Sequence, residues 1–232
     1  MRADRRGPTP HARRSCAGRR TRIVAGFLCA LTCTGVSAAD AWVGRFAPNS
    51  LTDWESRSFK GQTTYRLIGD GATRTLEARC QASASAIALR RQIDLVQTPV
   101  LRWQWRIDHV HEGLDGRTRE GDDYAARVYV IHDGGALVWR TRAINYVWAN
   151  TEPRDTHWPN AFTDKAMMVA VQSGTPAEPD QWVEQSRNVR DDFKRFYGLD
   201  LSAIDGVALM TDCDNGGRSA RAEYRRLRFT AQ

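Results

Sequence analysis

From residue 63 onward the chain repeatedly alternates apolar and polar side chains with a period of two, in ten short stretches separated by glycine, aspartate, asparagine and proline. The stretches cover about 63–69, 74–80, 86–93, 100–108, 124–132, 138–148, 165–173, 182–189, 204–211 and 221–230. Successive side chains on a strand point to opposite faces, so this spacing suits strands with one buried and one polar face. A helix would need apolar residues every three or four positions. Ten such strands, rich in β-branched and aromatic residues, predict two antiparallel sheets packed face to face, an all-β sandwich of the jelly-roll kind. One short helix is expected over 190–197, with Val189, Phe193 and Phe196 on one face and Gly198 placed to end it.

Charge is distributed unevenly along the chain. The 34 basic and 27 acidic side chains give a formal charge of +7. Residues 1–39 hold eight arginines and one acid, Asp4, which leaves 26 basic and 26 acidic groups in 40–232. The basic excess belongs entirely to the N-terminus, so it gives no reason to expect nucleic acid as a partner of the folded body. The arginine-rich start leads into an uncharged run at 23–36 and then Ser37-Ala38-Ala39. Basic, apolar, small-x-small is the pattern of a secretory signal peptide, and the run is shorter than the ~20 residues of a membrane span. Residues 1–39 are therefore expected to be cleaved, after Ala38 or Ala39, and 40–232 to form one periplasmic or secreted domain without a membrane span. Arg19-Arg20 admits twin-arginine export, although Thr21-Arg22-Ile23 is a poor continuation, and Ala30-Leu31-Thr32 is a poor lipobox before Cys33.

Cys16, Cys29 and Cys33 lie in the leader, so the mature chain keeps Cys80 and Cys213. An oxidising compartment allows one disulfide; two buried thiols are the alternative. A bridge across such a long loop would add roughly 4 kcal/mol by the chain-entropy model.

The stretches 124–132 and 138–148 flank Asp133-Gly134-Gly135, a hairpin signal. Pairing His132 with Leu137 places Val128, Val130, Trp139 and Ala143 on a core face. The other face then collects Arg127, Tyr129, Arg140, Arg142, Tyr146 and Trp148, with Arg127 opposite Arg142 and Tyr129 opposite Arg140. Like charges directly opposite repel unless carboxylates on adjacent strands or a bound anion lie between them. The segment 101–107 repeats the alternation, Leu101, Trp103, Trp105 and Ile107 inward and Arg102, Gln104 and Arg106 outward. Such a face either carries internal salt bridges or forms a groove in which rings stack on sugars and arginines hold carboxylates or hydroxyls.

Two acidic turns accompany this face: Asp122-Asp123 before one strand, and Asp212-Cys213-Asp214-Asn215 after another. Asp212, Asp214 and Asn215 have the oxygen density of a calcium turn but lack the third acidic position and distal glutamate of an EF-hand. A turn capped by Asx hydrogen bonds is the plainer reading, and no cofactor is required. Paired carboxylates for glycoside cleavage could be drawn from Asp122, Asp123, Asp212 and Asp214, although nothing in sequence fixes their separation. His109 and His111 lie in a loop without a partner at ligand spacing.

The run Leu101-Arg102-Trp103-Gln104-Trp105-Arg106-Ile107-Asp108 and the run Gly121-Asp122-Asp123-Tyr124-Ala125-Ala126-Arg127-Val128-Tyr129-Val130 resemble an exported bacterial family, the domain-of-unknown-function (DUF) family 3047. Asn145-Tyr146-Val147-Trp148-Ala149-Asn150, Trp158-Pro159-Asn160, Met210-Thr211-Asp212-Cys213-Asp214-Asn215 and Ala222-Glu223-Tyr224 continue the likeness, over roughly 42–230. The resemblance implies a signal-bearing sandwich protein and supplies no catalytic residue. The chain departs from the family pattern at Cys80 and Cys213, where small non-thiol residues are expected, and two such departures favour a bridge.

These features together predict a fold like that of carbohydrate-binding modules. Its expected role is non-catalytic binding of a glycan or similar polar, even anionic, small molecule by Arg127, Tyr129, Arg140, Arg142, Tyr146 and Trp148 with Asp122 and Asp123. A polysaccharide hydrolase or lyase using the aspartate turns and an envelope scaffold for another protein are the alternatives.

Overall fold

The computed structural model describes residues 39–232 apart from 138, 139 and 179; the expected signal peptide at 1–39 therefore lies, but for its last residue, outside the described residues. Thirteen strands and one helix follow in order: β1 (Ala41–Gly44), β2 (Trp54–Lys60), β3 (Thr64–Ile68), β4 (Thr75–Gln81), β5 (Ala84–Asp94), β6 (Val100–Ile107), β7 (Arg127–His132), β8 (Arg142–Ala149), β9 (His157–Asn160), β10 (Thr163–Ser173), β11 (Val183–Asn188), α1 (Val189–Tyr197), β12 (Ala203–Asp212) and β13 (Ser219–Thr230). They build the expected sandwich. One sheet has the order β11-β6-β13-β4-β3 with β1 also on β13; the other runs β2-β5-β12-β7-β8-β10-β9. The second sheet is mixed, because β10 pairs with β8 in parallel after the chain has turned back through β9. No helix among the described residues is long and apolar enough to cross a membrane.

The alternation on β6 works as read. Leu101, Trp103, Trp105 and Ile107 are buried while the residues between them are half-exposed. Trp103 meets Tyr146 of the facing sheet with ring centroids 5.6 Å apart, and Trp105 meets Trp148 at 5.8 Å. Each such ring removed from water contributes roughly 1.5–3 kcal/mol, and the offset contact adds to that. On the outer face of the six-stranded sheet the arginines are paired with buried carboxylates, within β4 and across strands. Glu77 accepts from Arg66, Arg79 and Arg221, and Glu223 accepts from Arg106 and from the Thr75 hydroxyl. Helix α1 is capped by Asn188, whose side chain accepts from the Asp191 amide, and it ends at Gly198 in the left-handed region at φ 69°.

The β7–β8 hairpin corrects the expected pairing. His132 pairs with Arg142, not Leu137, so Arg127 stands opposite Val147 and Tyr129 opposite Asn145. The expected Arg127–Arg142 and Tyr129–Arg140 pairs do not form. In the connection between the two strands Leu137 N donates to Gly134 O at 2.9 Å and Arg140 N to Leu137 O at 2.7 Å, while Gly134 N donates to Thr141 Oγ1 at 3.1 Å. The resulting slip is odd-numbered, and an odd slip exchanges the two faces of a strand. Tyr146 and Trp148 consequently enter the core, and Asn145 takes the outer face.

Candidate functional site

A pocket of about 480 Å³ opens on the outer face of the seven-stranded sheet, where the ends of β7 and β12 meet the loops before β7 and after β12. Arg127 forms its floor. Its side chain is nearly inaccessible, and its Nη2 lies 2.6 Å from Asp212 Oδ2 and 3.4 Å from Asp122 Oδ1 and donates to the Asp122 carbonyl. Nη1 donates to the Tyr129 hydroxyl at 3.1 Å. Asp212 Oδ1 accepts from the Tyr124 amide at 3.1 Å, and Asp122 Oδ2 accepts from Asn160 Nδ2 at 3.0 Å. Period two on β7 and β12 explains the gathering: Arg127 and Tyr129 share a face with their cross-strand neighbours Met210 and Ala208.

Burial and mutual charge govern ionisation here. Burial pushes the carboxyl groups of Asp122 and Asp212 above the usual carboxylate range, and Arg127 only partly offsets this. Burial opposes the charge on Arg127, but Asp122 and Asp212 outweigh it and keep the guanidinium protonated. The pocket thus sets several carboxylates against an arginine that is already neutralised.

Three acceptor or donor atoms at this floor have no hydrogen-bond partner among the described residues: Asn145 Oδ1, Asp122 Oδ1 and Arg127 Nε. The Asn145 amide donates only to Met168 Sδ, at 3.3 Å. At the mouth stand Phe59 of β2 and Phe162 of the β9–β10 turn, two of the most exposed large apolar side chains described, 60% and 53% accessible.

Asp123, Asp212 and Asp214 can each bring one oxygen within 4.8 Å of the others, so these are the residues that would hold a divalent cation such as calcium. All three are engaged. Asp123 accepts from Asn215 N, Asn215 Nδ2 and Gly216 N at 3.1, 3.2 and 2.7 Å, an Asx-type closure of the loop. Asp212 holds Arg127, and Asp214 lies 3.7 Å from Lys60 Nζ. Cys213, between the two aspartates, is bonded to Cys80 of β4, so a disulfide ties this loop to the other sheet, Cα to Cα 6.2 Å.

Of the residues singled out from sequence, Asp122, Arg127, Tyr129, Asp212, Asp214 and Asn215 come together in the pocket, with Asp123 bracing it from behind. Arg140 is exposed in the 133–141 connection, and Arg142 lies at that end of β8 with its guanidinium over Tyr197. Tyr146 and Trp148 face the core. Sequence reasoning missed Asn145, Asn160, Phe59 and Phe162. The register of β8 would have revealed Asn145, whereas Phe59 sits on a strand whose Glu, Ser, Arg and Lys residues carry little strand signal.

Residues 52–228 match the model of the family described as protein of unknown function (DUF3047), and the chain belongs to that family. No curated protein matches the sequence. Among solved structures the chain is similar to the family 11 carbohydrate-binding module of the cellulosomal cellulase Lic26A-Cel5E of Clostridium thermocellum, at 11% identity and TM-score 0.45, covering 84% of this chain and 95% of that one. It is also similar to the family 30 carbohydrate-binding module of Cel9D-Cel44B of the same organism, at 12% identity and TM-score 0.47, covering 78% and 92%. A third is the xyloglucanase domain of NopAA from Sinorhizobium fredii, at 8% identity and TM-score 0.43, covering 77% and 93%.

Proposed function

We propose that this DUF3047 protein binds an uncharged carbohydrate in the pocket on the outer face of its seven-stranded sheet. One observation carries the reading: the buried Asn145 Oδ1 and Arg127 Nε, without a hydrogen-bond partner among the described residues, share a pocket with two exposed phenyl rings. Large apolar side chains gathered in water at one site mark a binding surface, whereas singly scattered ones do not, and Phe59 and Phe162 line the same pocket. A sugar offers apolar ring faces for Phe59 and Phe162 and hydroxyls that donate and accept at once for the floor. An anionic ligand is disfavoured, since Arg127 already serves two carboxylates. Screening the protein against neutral polysaccharides tests this. Phe59→Ala and Phe162→Ala should each weaken binding about tenfold with the melting temperature unchanged. Absence of binding to every neutral glycan, or full binding by the double variant, overturns the reading.

A second reading, cleavage of the bound glycan, is favoured by one feature. The carboxylates of Asp122 and Asp212 approach the same nitrogen of Arg127, and burial raises both, so one can remain protonated as an acid while the other is ionised. New reducing ends or unsaturated sugars that vanish in Asp122→Asn would establish it; binding without turnover leaves a non-catalytic module.

A further inference from the structure

We infer that the pocket is one end of a trough that holds a linear, uncharged oligosaccharide along strands β5 and β12. This rests on the carbohydrate reading above and extends it to the length and shape of the ligand. On the outer face β5 presents Ala84, Ala86 and Ala88, and β12 presents Gly206 and Ala208 beside them: Ala208 pairs with Ala88, Met210 with Ala86 and Asp212 with Ala84. Small side chains on two adjacent central strands lower the floor, while Arg57 and Phe59 of β2 and Tyr129 and Ile131 of β7 rise on either side. A side chain at Gly206 would meet the Leu89 carbonyl oxygen at 3.0 Å, so the floor stays lowest there. A second pocket of about 540 Å³ occupies this stretch, and it shares Phe59 and Tyr129 with the first. The two adjoin at those rings, where Tyr129 packs against Ala84, Ala86 and Met210. From Asp212 to Gly206 the trough follows β12 for about 20 Å at a strand's ~3.3 Å rise per residue, longer than a disaccharide.

The surroundings select the occupant. β5 and β12 are hydrogen-bonded on both sides, so they present no free backbone edge on which a peptide could add as a strand. Asp122, Asp212 and Asp214 at one end outnumber Arg127 and Lys60, which repels an acidic polymer. At the other end Arg90 is paired with Glu55, and Asp205 accepts from the Asp133 amide; Glu55, Asp133 and Asp205 face Arg57 and Arg90, so this rim carries no excess of positive charge for an acidic polymer either. An apolar floor between hydroxyl-binding rims suits a chain with apolar faces and polar edges. The Asn145 side-chain oxygen, without a hydrogen-bond partner among the described residues, anchors one end.

Calorimetry with neutral β-linked glucan, mannan and xylan ladders, from monosaccharide to hexasaccharide, tests the length. Affinity should rise at least about tenfold between disaccharide and tetrasaccharide and then level off. Ala88→Phe, which fills the second pocket at a half-exposed position, should abolish that gain and leave disaccharide affinity within about twofold. Affinity independent of length overturns the trough while leaving the pocket reading intact, as does a full length gain in a folded Ala88→Phe. Silence of every ladder overturns both. If the variant fails to fold, the wild-type ladder decides alone.

Discussion

Arg127 Nη2 lies 2.6 Å from Asp212 Oδ2, and both side chains are 3% accessible. The pair joins β7 to β12 and draws in Asp122 from the preceding loop. Removing one member of a buried pair strands the other's charge in a poorly solvated place. Arg127→Ala is therefore expected to cost about 3–5 kcal/mol, irrespective of added ligand, as read by urea or thermal melts. An unchanged or raised apo stability would mean that the arginine waits for an anion instead of serving Asp122 and Asp212.

A second expectation concerns acid stability. Glu77 is buried under Arg79, Arg221 and Arg66; Arg79 is the strongest of the influences that hold its carboxyl at about 2 instead of 4.5. A carboxyl lowered by folding stabilises the fold fully above its unfolded value and loses that contribution as pH falls through the folded one. The window is thus from about 4.5 down to about 2. Because Arg66 and Arg79 are half in solvent, the contribution is on the order of 2 kcal/mol. Asp122 and Asp212 act in the opposite sense, since raised carboxyls gain as pH falls. Glu77→Gln should therefore flatten the acid limb of a stability profile, and an unchanged limb would contradict this assignment.

The sandwich and ten of its strands are legible because burial on one sheet face imposes period two on the sequence. β9 is not, being four residues long with Pro159 inside, and β2 is not, lacking β-branched residues. The register of β8 depends on how many residues the 133–141 connection consumes, which is decided by bonds such as Gly134 N to Thr141 Oγ1 and not by local propensity. That uncertainty exchanged Tyr146 for Asn145 on the outer face. The acidic turns were visible as sequence clusters, yet their meeting around Arg127 joins residues about ninety positions apart, a separation no local pattern encodes.

The Cys80–Cys213 bond closes a loop with a separation of 133 residues and connects the sheets beside Asp212. Chain entropy assigns such a bond about 4–5 kcal/mol. The unfolded, unreduced protein, lacking its leader, should show no titratable thiol, and reduction should lower the melting temperature. Two titratable thiols would contradict the bridge.

We also propose export, from the arginine-rich, apolar and small-residue order of 1–39. N-terminal sequencing of protein recovered from the cell envelope should begin at Ala39 or Asp40. An intact leader in a membrane fraction would count against cleavage.

Tyr146 distinguishes the two faces of β8. Its ring stacks on Trp103 in the core, and its hydroxyl donates to Asp192 Oδ2 at 2.8 Å, where Arg187 donates to both oxygens of the same carboxylate at 2.9 and 2.6 Å. This network lies between the sheets, on the opposite side of β8 from Asn145. Tyr146→Phe preserves the ring and deletes one bond to a charged acceptor, which costs about 1.5–3 kcal/mol. Since Arg187 continues to neutralise Asp192, the protein should stay folded with a lower melting temperature and an unaltered glycan affinity. Asn145→Ala should do the reverse, leaving the fold intact and weakening binding. If Tyr146→Phe weakened binding without lowering stability, the face assignment of β8, and with it the pocket, would be wrong.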